Sequence, residues 1–304
     1  MNKRNVATVV VAYNPDLLRL REIVHSALSA TQRIIIVNNG DDVLAEVPGL
    51  VLPGVSIIHN KENVGIAEAL NLGIQAAFAE EEISQVLLLD HDSRLSAAAI
   101  IELHQVLEEL RADGCSRAIA GAYYTNHETG LPAITLRATG LRVVRAPLDL
   151  GARYEAVDMV ITSGSMLTRD AWDCVGPMDA ALFIDLVDLD WCLRARARGV
   201  KVVICSRAGM DHELGKGMRT FFGKPIVRHE PIRNYYFIRN SLWLARRPWT
   251  PFAWALNLVW RAAAISVLYP MIMDERRARL RFVLKGLRDG LFGQRRSSPS
   301  RTQD

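Results

Sequence analysis

Short apolar runs alternate with longer segments of helical spacing over residues 6–112. The runs are rich in leucine and β-branched residues and end in polar or turn residues: Val6–Ala12, Ile34–Val37, Val55–Ile58 and Val86–Leu89. The segments between them repeat apolar residues every three or four positions: Pro15–Ala30, Val64–Phe78 and Ser96–Ala112. Continuously apolar strands that alternate with helices predict an α/β fold, a mostly parallel Rossmann-like sheet with helices on both faces.

The order is less regular after about residue 125. We expect strands at Leu141–Arg145, Asp158–Ile161 and Val200–Cys205, and helices at Arg169–Val175 and Asp188–Arg198. The pattern contains no internal repeat.

The chain divides by composition into an α/β domain over residues 1–228, a helical segment over 229–293, and a polar tail over 294–304. We expect the tail to be disordered. Residues 241–304 hold 12 Lys and Arg against 4 Asp and Glu, a formal charge of +8, and the preceding residues carry −4. This asymmetry predicts that the helical segment meets an anionic surface such as acidic lipid. The four scattered cysteines fit a reducing compartment.

Residues 251–272 are long and apolar enough to raise the question of a membrane span. Arg261 lies in the middle, where a charge costs roughly 2.5–3.5 kcal/mol on insertion scales. Tryptophans within the stretch and basic residues on both sides are typical of a membrane interface. The pattern therefore favours a helix lying in the plane of the interface, while a soluble packing helix and a true span stay open.

Polar side chains follow the predicted strands, at the ends where parallel sheets bind ligands: Tyr13, Asn14, Asn38, Asn39, Asn60, Asn63, Asp90 and Asp92. The last two form an Asp-x-Asp pair after a buried strand. Two such carboxylates suit a hard divalent cation, which would neutralise the charge on a departing diphosphate. Taken alone, an Asp-x-Asp pair is a weak signal, and helix caps before Ser96–Ala112 are the more common interpretation.

A second acidic cluster, Asp185, Asp188 and Asp190, leads into a predicted helix. Acids at a helix start are stabilised by the macrodipole, but three in six residues exceed what a cap needs. One of them is a candidate general base. His212 follows the last predicted strand. A lone histidine is more often structural, although a neutral imidazole could join Asp92 at a metal ion.

Two further segments carry polar residues in a regular arrangement. Backbone N–H groups at the helix start in NKENVGIAEALNLGI could meet a phosphate or a ribose. That segment does not match the dinucleotide fingerprint, which weakens an oxidoreductase interpretation. In RNYYFIRNSLWLARR, the polar residues recur along about one helical face and could contact an acceptor, or could simply form a solvated face.

Together these segments resemble glycosyltransferase family 2, and within it the bacterial rhamnosyltransferases of O-antigen and polysaccharide assembly. The resemblance is carried in order, across most of residues 6–240, by VVVAYNP, IIIVNNG, NKENVGIAEALNLGI, LLLDHDS, SGSMLTRDAW, FIDLVDLDWCLRARARG, the histidine of MDHELG, and RNYYFIRN. It implies a GT-A fold with a catalytic domain over residues 1–228, an inverting mechanism, and Mg²⁺ or Mn²⁺ as cofactor. For the rhamnosyl branch it implies dTDP-L-rhamnose as donor.

The resemblance also implies roles for individual residues. It places the following residues around the nucleotide sugar: Tyr13, Asn14, Asn39, Asn63, Gly65, Asn71 and Asp90. It implies that Asp92 and His212 hold the metal ion.

The same resemblance implies that Asp188 is the catalytic base. Val187 stands where the family has the first acid of a Glu-Asp pair, so whether Asp185 or Asp190 shares the role stays open. On the acceptor side we expect four residues: Asp190, Arg233, Tyr236 and Asn240.

We therefore expect a metal-dependent inverting glycosyltransferase that moves a deoxyhexose to a lipid-linked glycan acceptor in cell-surface polysaccharide assembly. Its expected partners are a nucleotide sugar, that acceptor and an anionic membrane, with no nucleic acid, and the oligomeric state stays open. Its expected location is the cytoplasmic face of the plasma membrane, as a peripheral protein.

A UDP-galactofuranose transferase of the same fold is a rival interpretation. A sugar nucleotidyltransferase is another, although VVVAYNP lacks the Gly-rich phosphate loop of that class. A non-catalytic membrane-docked protein is disfavoured by the separated acidic and histidine elements.

Overall fold

The computed structural model describes residues 5–40, 44, 47, 49–125, 134–212, 218–221, 224–227 and 229–293. The strands are β1 Val6–Ala12, β2 Arg33–Asn38, β3 Val55–His59, β4 Gln85–Asp90, β5 Ser93–Leu95, β6 Ala118–Thr125, β7 Ile134–Thr139, β8 Arg142–Pro147, β9 Tyr154–Ala156, β10 Ser165–Thr168, β11 Lys201–His212, β12 Met218–Phe221 and β13 Lys224–Val227. The helices are α1 Leu17–Leu28, α2 Gly65–Phe78, α3 Ala97–Ala112, α4 Arg169–Val175, α5 Val187–Ala197, α6 Pro231–Leu244, α7 Phe252–Ile272 and α8 Arg276–Phe292, with a turn of 3-10 helix at Ala180–Leu182.

Nine of the described strands form one mixed sheet in the order β3-β2-β1-β4-β10-β6-β11-β5, with β9 pairing β11. The first four strands in this order run parallel to one another. β10 is antiparallel to both β4 and β6, and β11 is parallel to β6. The carboxyl ends of β1, β2, β4, β6 and β11 therefore lie at the same edge of the sheet.

The sheet separates two hydrophobic cores because successive side chains of a strand point to opposite faces. Val6 and Val10 of β1 pack with residues of α1 and α3. Val9 and Val11 pack on the other face, with residues of α2, α4 and α5. This confirms the predicted mostly parallel sheet with helices on both faces.

The strand predicted at Asp158–Ile161 is wrong. That stretch is irregular, and β9 lies just before it. The buried carboxylate of Asp158 accepts hydrogen bonds from the backbone N–H of Ala138 (2.6 Å) and the indole N–H of Trp254 (2.6 Å). A buried carboxylate requires several donors, and these come from different elements, which the irregular backbone allows it to reach.

The last three helices pack together and onto the α/β domain. A small core contains one buried residue from each helix: Ile238, Ala262 and Val283. Trp243 of α6 and Trp254 of α7 instead join the larger core on one face of the sheet. The helical segment after residue 229 is thus present, while the predicted tail at 294–304 lies outside the described residues and the proposed boundary at 228 stays a prediction.

Candidate active site

The first acidic pair lies at the carboxyl end of β4. The strand ends at Asp90, whose backbone N–H donates to Oγ of Ser163 (2.9 Å), and Asp92 lies in the turn before β5. Burial raises the pKa of Asp90 to about 7, with further contributions from the carboxylates of Asp92 and Asp188. The fold therefore brings together acids from both of the clusters found in the sequence.

The pairing of two strands brings the backbones of the proposed metal ligands, Asp92 and His212, close together. The antiparallel register of β5 and β11 pairs His212 with Ser93, which is next to Asp92 in the chain. The side chain of His212 lies outside the described part of the structure. Among the residues that are described, no three His, Cys, Asp or Glu side chains could hold a metal ion by themselves.

The residues at this edge nevertheless fit a divalent cation. Mg²⁺ and similar ions commonly take one or two carboxylates and complete their shell with water and substrate phosphates, so a cage made by the protein alone is not required. The carboxylates of Asp90 and Asp92 supply hard oxygen donors. Burial is the main cause of the raised pKa of Asp90, and the carboxylates of Asp92 and Asp188 add negative charge that a cation would relieve.

Asp188 lies in the first turn of α5. Its Oδ1 accepts the backbone N–H of Leu189 (2.8 Å). Burial raises the pKa of Asp188 to about 6 and the charge of Asp185 raises it too, whereas the hydrogen bond from Leu189 lowers it. A carboxylate with a pKa near 6 is ionised at neutral pH and is more basic than an ordinary aspartate, which suits a general base.

The segment just before Asp188 has a strained backbone. Phe183, Asp185 and Leu186 have φ values of 63°, 65° and 65°, in the left-handed region that residues other than glycine rarely adopt. Such conformations cost of order 1–3 kcal/mol each and persist only where the surroundings enforce them.

Asn240 of α6 holds much of this strained backbone in place. It is fully buried, and its Nδ2 donates to the carbonyl oxygens of Leu182 (3.0 Å), Ile184 (2.8 Å) and Asp185 (2.9 Å). Arg239 donates through Nε to Oδ1 of Asn240 (3.0 Å), which fixes the orientation of the amide. The acceptor contact expected of Asn240 stays a prediction, because in the structure its Nδ2 is bonded to three backbone carbonyls and its Oδ1 to Arg239.

Two further side chains of α6 contact the strained segment before Asp188. Arg233 donates through Nε and Nη2 to the carboxylate of Asp185, at 2.8 and 2.5 Å. Tyr236 stacks on Phe183, with ring centroids 5.0 Å apart and an interplanar angle of 13°. These contacts support the shape of the segment that precedes the proposed base, and the acceptor contacts expected of Arg233 and Tyr236 stay predictions.

Asn39 ties the end of β2 to the loop before α2. Its Oδ1 accepts from Nδ2 of Asn60 (3.1 Å) and the N–H of Val64 (3.0 Å), and its Nδ2 donates to Oδ1 of Asn63 (2.9 Å). Oδ1 of Asn63 also accepts the N–H of Gly65, which has a φ of 81°. This network shapes the loop that is expected to meet the nucleotide.

The other residues expected around the donor are placed differently. Tyr13 is 50% exposed beyond the end of β1, and Asn14 follows it with a φ of 46°. Asn71 is buried in α2, where its side-chain amide forms two hydrogen bonds with the backbone of Met178. Its Nδ2 donates to the carbonyl oxygen of Met178 (2.9 Å), and its Oδ1 accepts the N–H of Met178 (2.8 Å). Asn71 thus joins two distant parts of the chain, and its contact with a donor stays a prediction.

Asp190 is 1% exposed and is surrounded by donors. Its Oδ1 accepts the indole N–H of Trp249 (3.1 Å) and lies 3.5 Å from Nε of Arg247. Burial raises the pKa of Asp190, while the charges of Arg247 and Arg194 lower it. Its partners point to a role in joining α5 to the start of the C-terminal segment, and an acceptor contact stays a prediction.

Comparison with known families identifies the chain. The model of glycosyl transferase family 2 matches residues 8–176, more than half of the sequence. The chain belongs to glycosyl transferase family 2. The resemblance expected from the sequence motifs is therefore confirmed at the level of the family.

Known relatives of this glycosyltransferase include a protein named as a rhamnosyltransferase. The dTDP-rhamnosyl transferase RfbF of Shigella flexneri is 28% identical over 257 residues, which cover 84% of each chain. An uncharacterised protein of Mycobacterium tuberculosis is 29% identical over 210 residues, covering 66% of this chain and 73% of its own length.

Solved structures show that the glycosyltransferase has the GT-A fold. It matches GalNAc-T7 in complex with UDP, GalNAc and Mn²⁺ with a TM-score of 0.57 and 13% identity, over 89% of this chain and 59% of that one. It matches TarS of S. aureus with a TM-score of 0.55 and 10% identity, over 90% of this chain and 46% of that one. At these identities the likeness concerns the fold alone.

Several residues that build this glycosyltransferase site were missed by the sequence analysis. Ser163 supports the backbone at Asp90, and Arg239 donates to the carbonyls of Ala181 (2.7 Å) and Leu182 (3.0 Å). Burial raises the pKa of Tyr124, and the charge of Asp188 raises it as well, which places this phenol near the proposed base. Ser163 and Arg239 lie inside the SGSMLTRDAW and RNYYFIRN segments that were singled out, although neither was given a role, whereas no motif pointed to Tyr124.

Proposed function

We propose that this glycosyltransferase moves L-rhamnose from dTDP-L-rhamnose to a hydroxyl group of a glycan acceptor, with inversion at the anomeric carbon. The recessed carboxylate of Asp188, with its pKa near 6 and next to the Asp90 and Asp92 pair, is the observation that carries the proposal. The similarity to RfbF over 84% of both chains supports the choice of donor.

The reaction is a single displacement. Asp188 accepts the proton of the acceptor hydroxyl as the hydroxyl oxygen forms a bond to the anomeric carbon of rhamnose. The bond from that carbon to the diphosphate oxygen breaks, and its electron pair leaves with dTDP. Attack on the face opposite the leaving group inverts the configuration.

Asp188 is suited to this step by its surroundings. It is ionised at neutral pH, so it can accept a proton, and general-base catalysis of this kind contributes typically 10²–10⁴-fold. The hydrogen bonds from Asn240 of α6, which we call the α6 clamp, fix the backbone of residues 182–185. The carboxylate of Asp188 is therefore held in one position relative to Asp90 and Asp92.

A divalent cation would supply charge neutralisation at the departing diphosphate. Asp92 and His212 would hold it, since the register of β5 and β11 brings these two positions together. Asp90 would face the ribose or the sugar. The acceptor that we propose is a lipid-linked glycan, used at the cytoplasmic face of the membrane.

Titration calorimetry with dTDP, UDP and GDP tests the donor assignment. We expect dTDP to bind most tightly in the presence of Mg²⁺ or Mn²⁺ and its affinity to fall when EDTA is added. A clear preference for UDP would contradict the rhamnosyl assignment and favour a hexosyl or galactofuranosyl transferase. Unchanged affinity and transfer in EDTA after dialysis would contradict the proposed metal site.

A further inference from the structure

Helix α7 exposes a continuous apolar face. Its most exposed side chains recur at helical spacing along one side: Phe252 69%, Leu256 50%, Val259 45%, Trp260 68%, Val267 60% and Met271 64%. Among the described residues, α7 is the helix that is long and apolar enough to cross a membrane. Contiguous apolar faces of this size on a protein surface mark sites of interaction.

The opposite face of α7 is anchored to the glycosyltransferase domain. Trp254 and Leu258 are buried in the core on one face of the sheet, and the indole of Trp254 donates to Asp158. Arg261 lies over the ring of Phe237, 4.9 Å from its centroid. A spanning helix would have to leave these contacts, so α7 is better suited to lie along a surface than to cross it.

Helix α8 carries the complementary charge. Its exposed leucines, Leu280, Leu284 and Leu291, are 49%, 58% and 50% exposed and share one stripe. A stripe of basic residues runs beside it on the same exposed side of the helix: Arg277, Arg281, Lys285 and Arg288. An apolar stripe flanked by cations is typical of helices that lie in the headgroup region of anionic membranes.

The outer faces of the two helices are held in a fixed relation. Both helices turn their buried sides towards α6, where Ile238, Ala262 and Val283 meet. On α8, Arg279 is 1% exposed and donates to Oδ1 of Asn234 (2.9 Å) and to the carbonyl oxygen of His229 (2.8 Å). α7 and α8 also contact each other, so the apolar face of α7 and the mixed face of α8, which both point away from α6, adjoin.

We propose that the outer faces of α7 and α8 form a docking surface for an anionic lipid bilayer. The apolar side chains enter the boundary between headgroups and acyl chains, and the stripe of α8 contacts the acidic headgroups. A second copy of the chain is a poorer occupant, because a contact between copies would bring these like-charged stripes towards each other. The proposal does not depend on the identity of the donor sugar.

Sedimentation of the full-length protein with vesicles tests the surface. We expect binding to vesicles of phosphatidylcholine mixed with phosphatidylglycerol, weak binding to phosphatidylcholine alone, and release by high salt. Replacing Arg277 and Arg281 by glutamine should weaken binding by about fivefold for each charge. The matched control is Arg111→Gln on α3, whose side chain is 65% exposed and which should bind like the wild type.

The apolar face is tested with the double variant Trp260→Asp and Val267→Asp, which should abolish sedimentation. Leu18→Asp, at a position 71% exposed on α1, is the control that should leave binding unchanged. The proposal is overturned if the wild type does not bind the phosphatidylglycerol vesicles, or if the double variant binds as well as the wild type. It is also overturned if the double variant instead dissociates a dimer in lipid-free ultracentrifugation, or if the wild type resists carbonate extraction from cell membranes as a span would.

Calorimetry with dTDP in lipid-free buffer separates this proposal from the proposed function. Loss of vesicle binding with intact dTDP affinity would concern the docking surface alone. Intact vesicle binding without any preference for dTDP would concern the donor assignment alone.

Discussion

Asp188 shows how one side chain takes its chemistry from its position in the chain. It follows three left-handed residues and opens α5, so its carboxylate is recessed and close to other acids. Position after a strand or before a helix made Asp90, Asp92 and Asp188 visible in the sequence. The asparagines were harder to interpret, since one that binds a ligand and one that caps backbone carbonyls look alike in a sequence. Asn39, Asn71 and Asn240 are bonded within the protein.

The pH dependence of transfer follows from the raised pKa of Asp188. The base acts in its ionised form, so the rate should be constant well above pH 6 and should fall about tenfold per pH unit below the pKa of about 6. Initial rates between pH 4.5 and 8 at saturating donor would measure this profile. A rate that does not change between pH 7 and pH 5 would contradict the assignment.

The same pKa shift predicts an effect on stability. The pKa of Asp188 is higher in the folded protein than in the unfolded chain, so ionisation opposes folding. This cost is absent below about pH 4, grows as the pH rises, and is complete above about pH 6. Asp188→Asn should therefore unfold at higher urea concentration than the wild type at pH 7.5, and at nearly the same concentration at pH 4. An Asp188→Asn variant less stable than the wild type at pH 7.5 would contradict this.

At the scale of elements, the first four parallel strands and their helices could be predicted because their apolar periodicity is strong. The later region was less predictable. Asp158 lies in irregular backbone because its carboxylate needs donors from Ala138 and Trp254, which are far away in the sequence. The role of α6 could not be predicted either, since its clamp on residues 182–185 is formed only by tertiary packing.

The clamp makes Asn240 a positioning residue for the base. Asn240→Asp keeps the size of the side chain but removes the N–H groups that bind three carbonyls. We expect kcat to fall at least tenfold while dTDP affinity stays nearly unchanged. Asn257→Asp, at a partly exposed position of α7, is the control. A loss of donor affinity equal to the loss of kcat would indicate a general structural role instead.

Close packing of α8 on α6 depends on glycine. A Cβ at Gly286 would lie 2.9 Å from the backbone oxygen of Tyr235. Gly286→Ala should therefore lower the free energy of unfolding by about 1–3 kcal/mol, although alanine favours a helix. Urea denaturation would measure the change, with the exposed Arg281→Ala on α8 as control. An unchanged or higher midpoint would show that the two helices can separate without cost.

At the scale of the whole molecule, the GT-A sheet gathers the site at one edge, and the C-terminal helices place charge and apolar surface outside it. The charge asymmetry of the chain was visible in its composition, because counting needs no structure. The sequence did not show that α7 exposes an apolar face and α8 a basic stripe, since this depends on which face each helix turns towards α6. The sequence alone left the span, the interface helix and the packing helix open for the same reason.

The most direct test of the account is transfer of labelled sugar from dTDP-L-rhamnose to a lipid-linked glycan fraction by the wild type, Asp188→Asn and Asp173→Asn. Asp173 is an exposed acid on α4 and serves as the matched control. The account predicts transfer by the wild type and the control, and a fall of about 10²–10⁴-fold in kcat for Asp188→Asn with unchanged dTDP affinity. Transfer by the wild type from a UDP-sugar but not from dTDP-L-rhamnose, or more than about a tenth of wild-type kcat in Asp188→Asn, would contradict it.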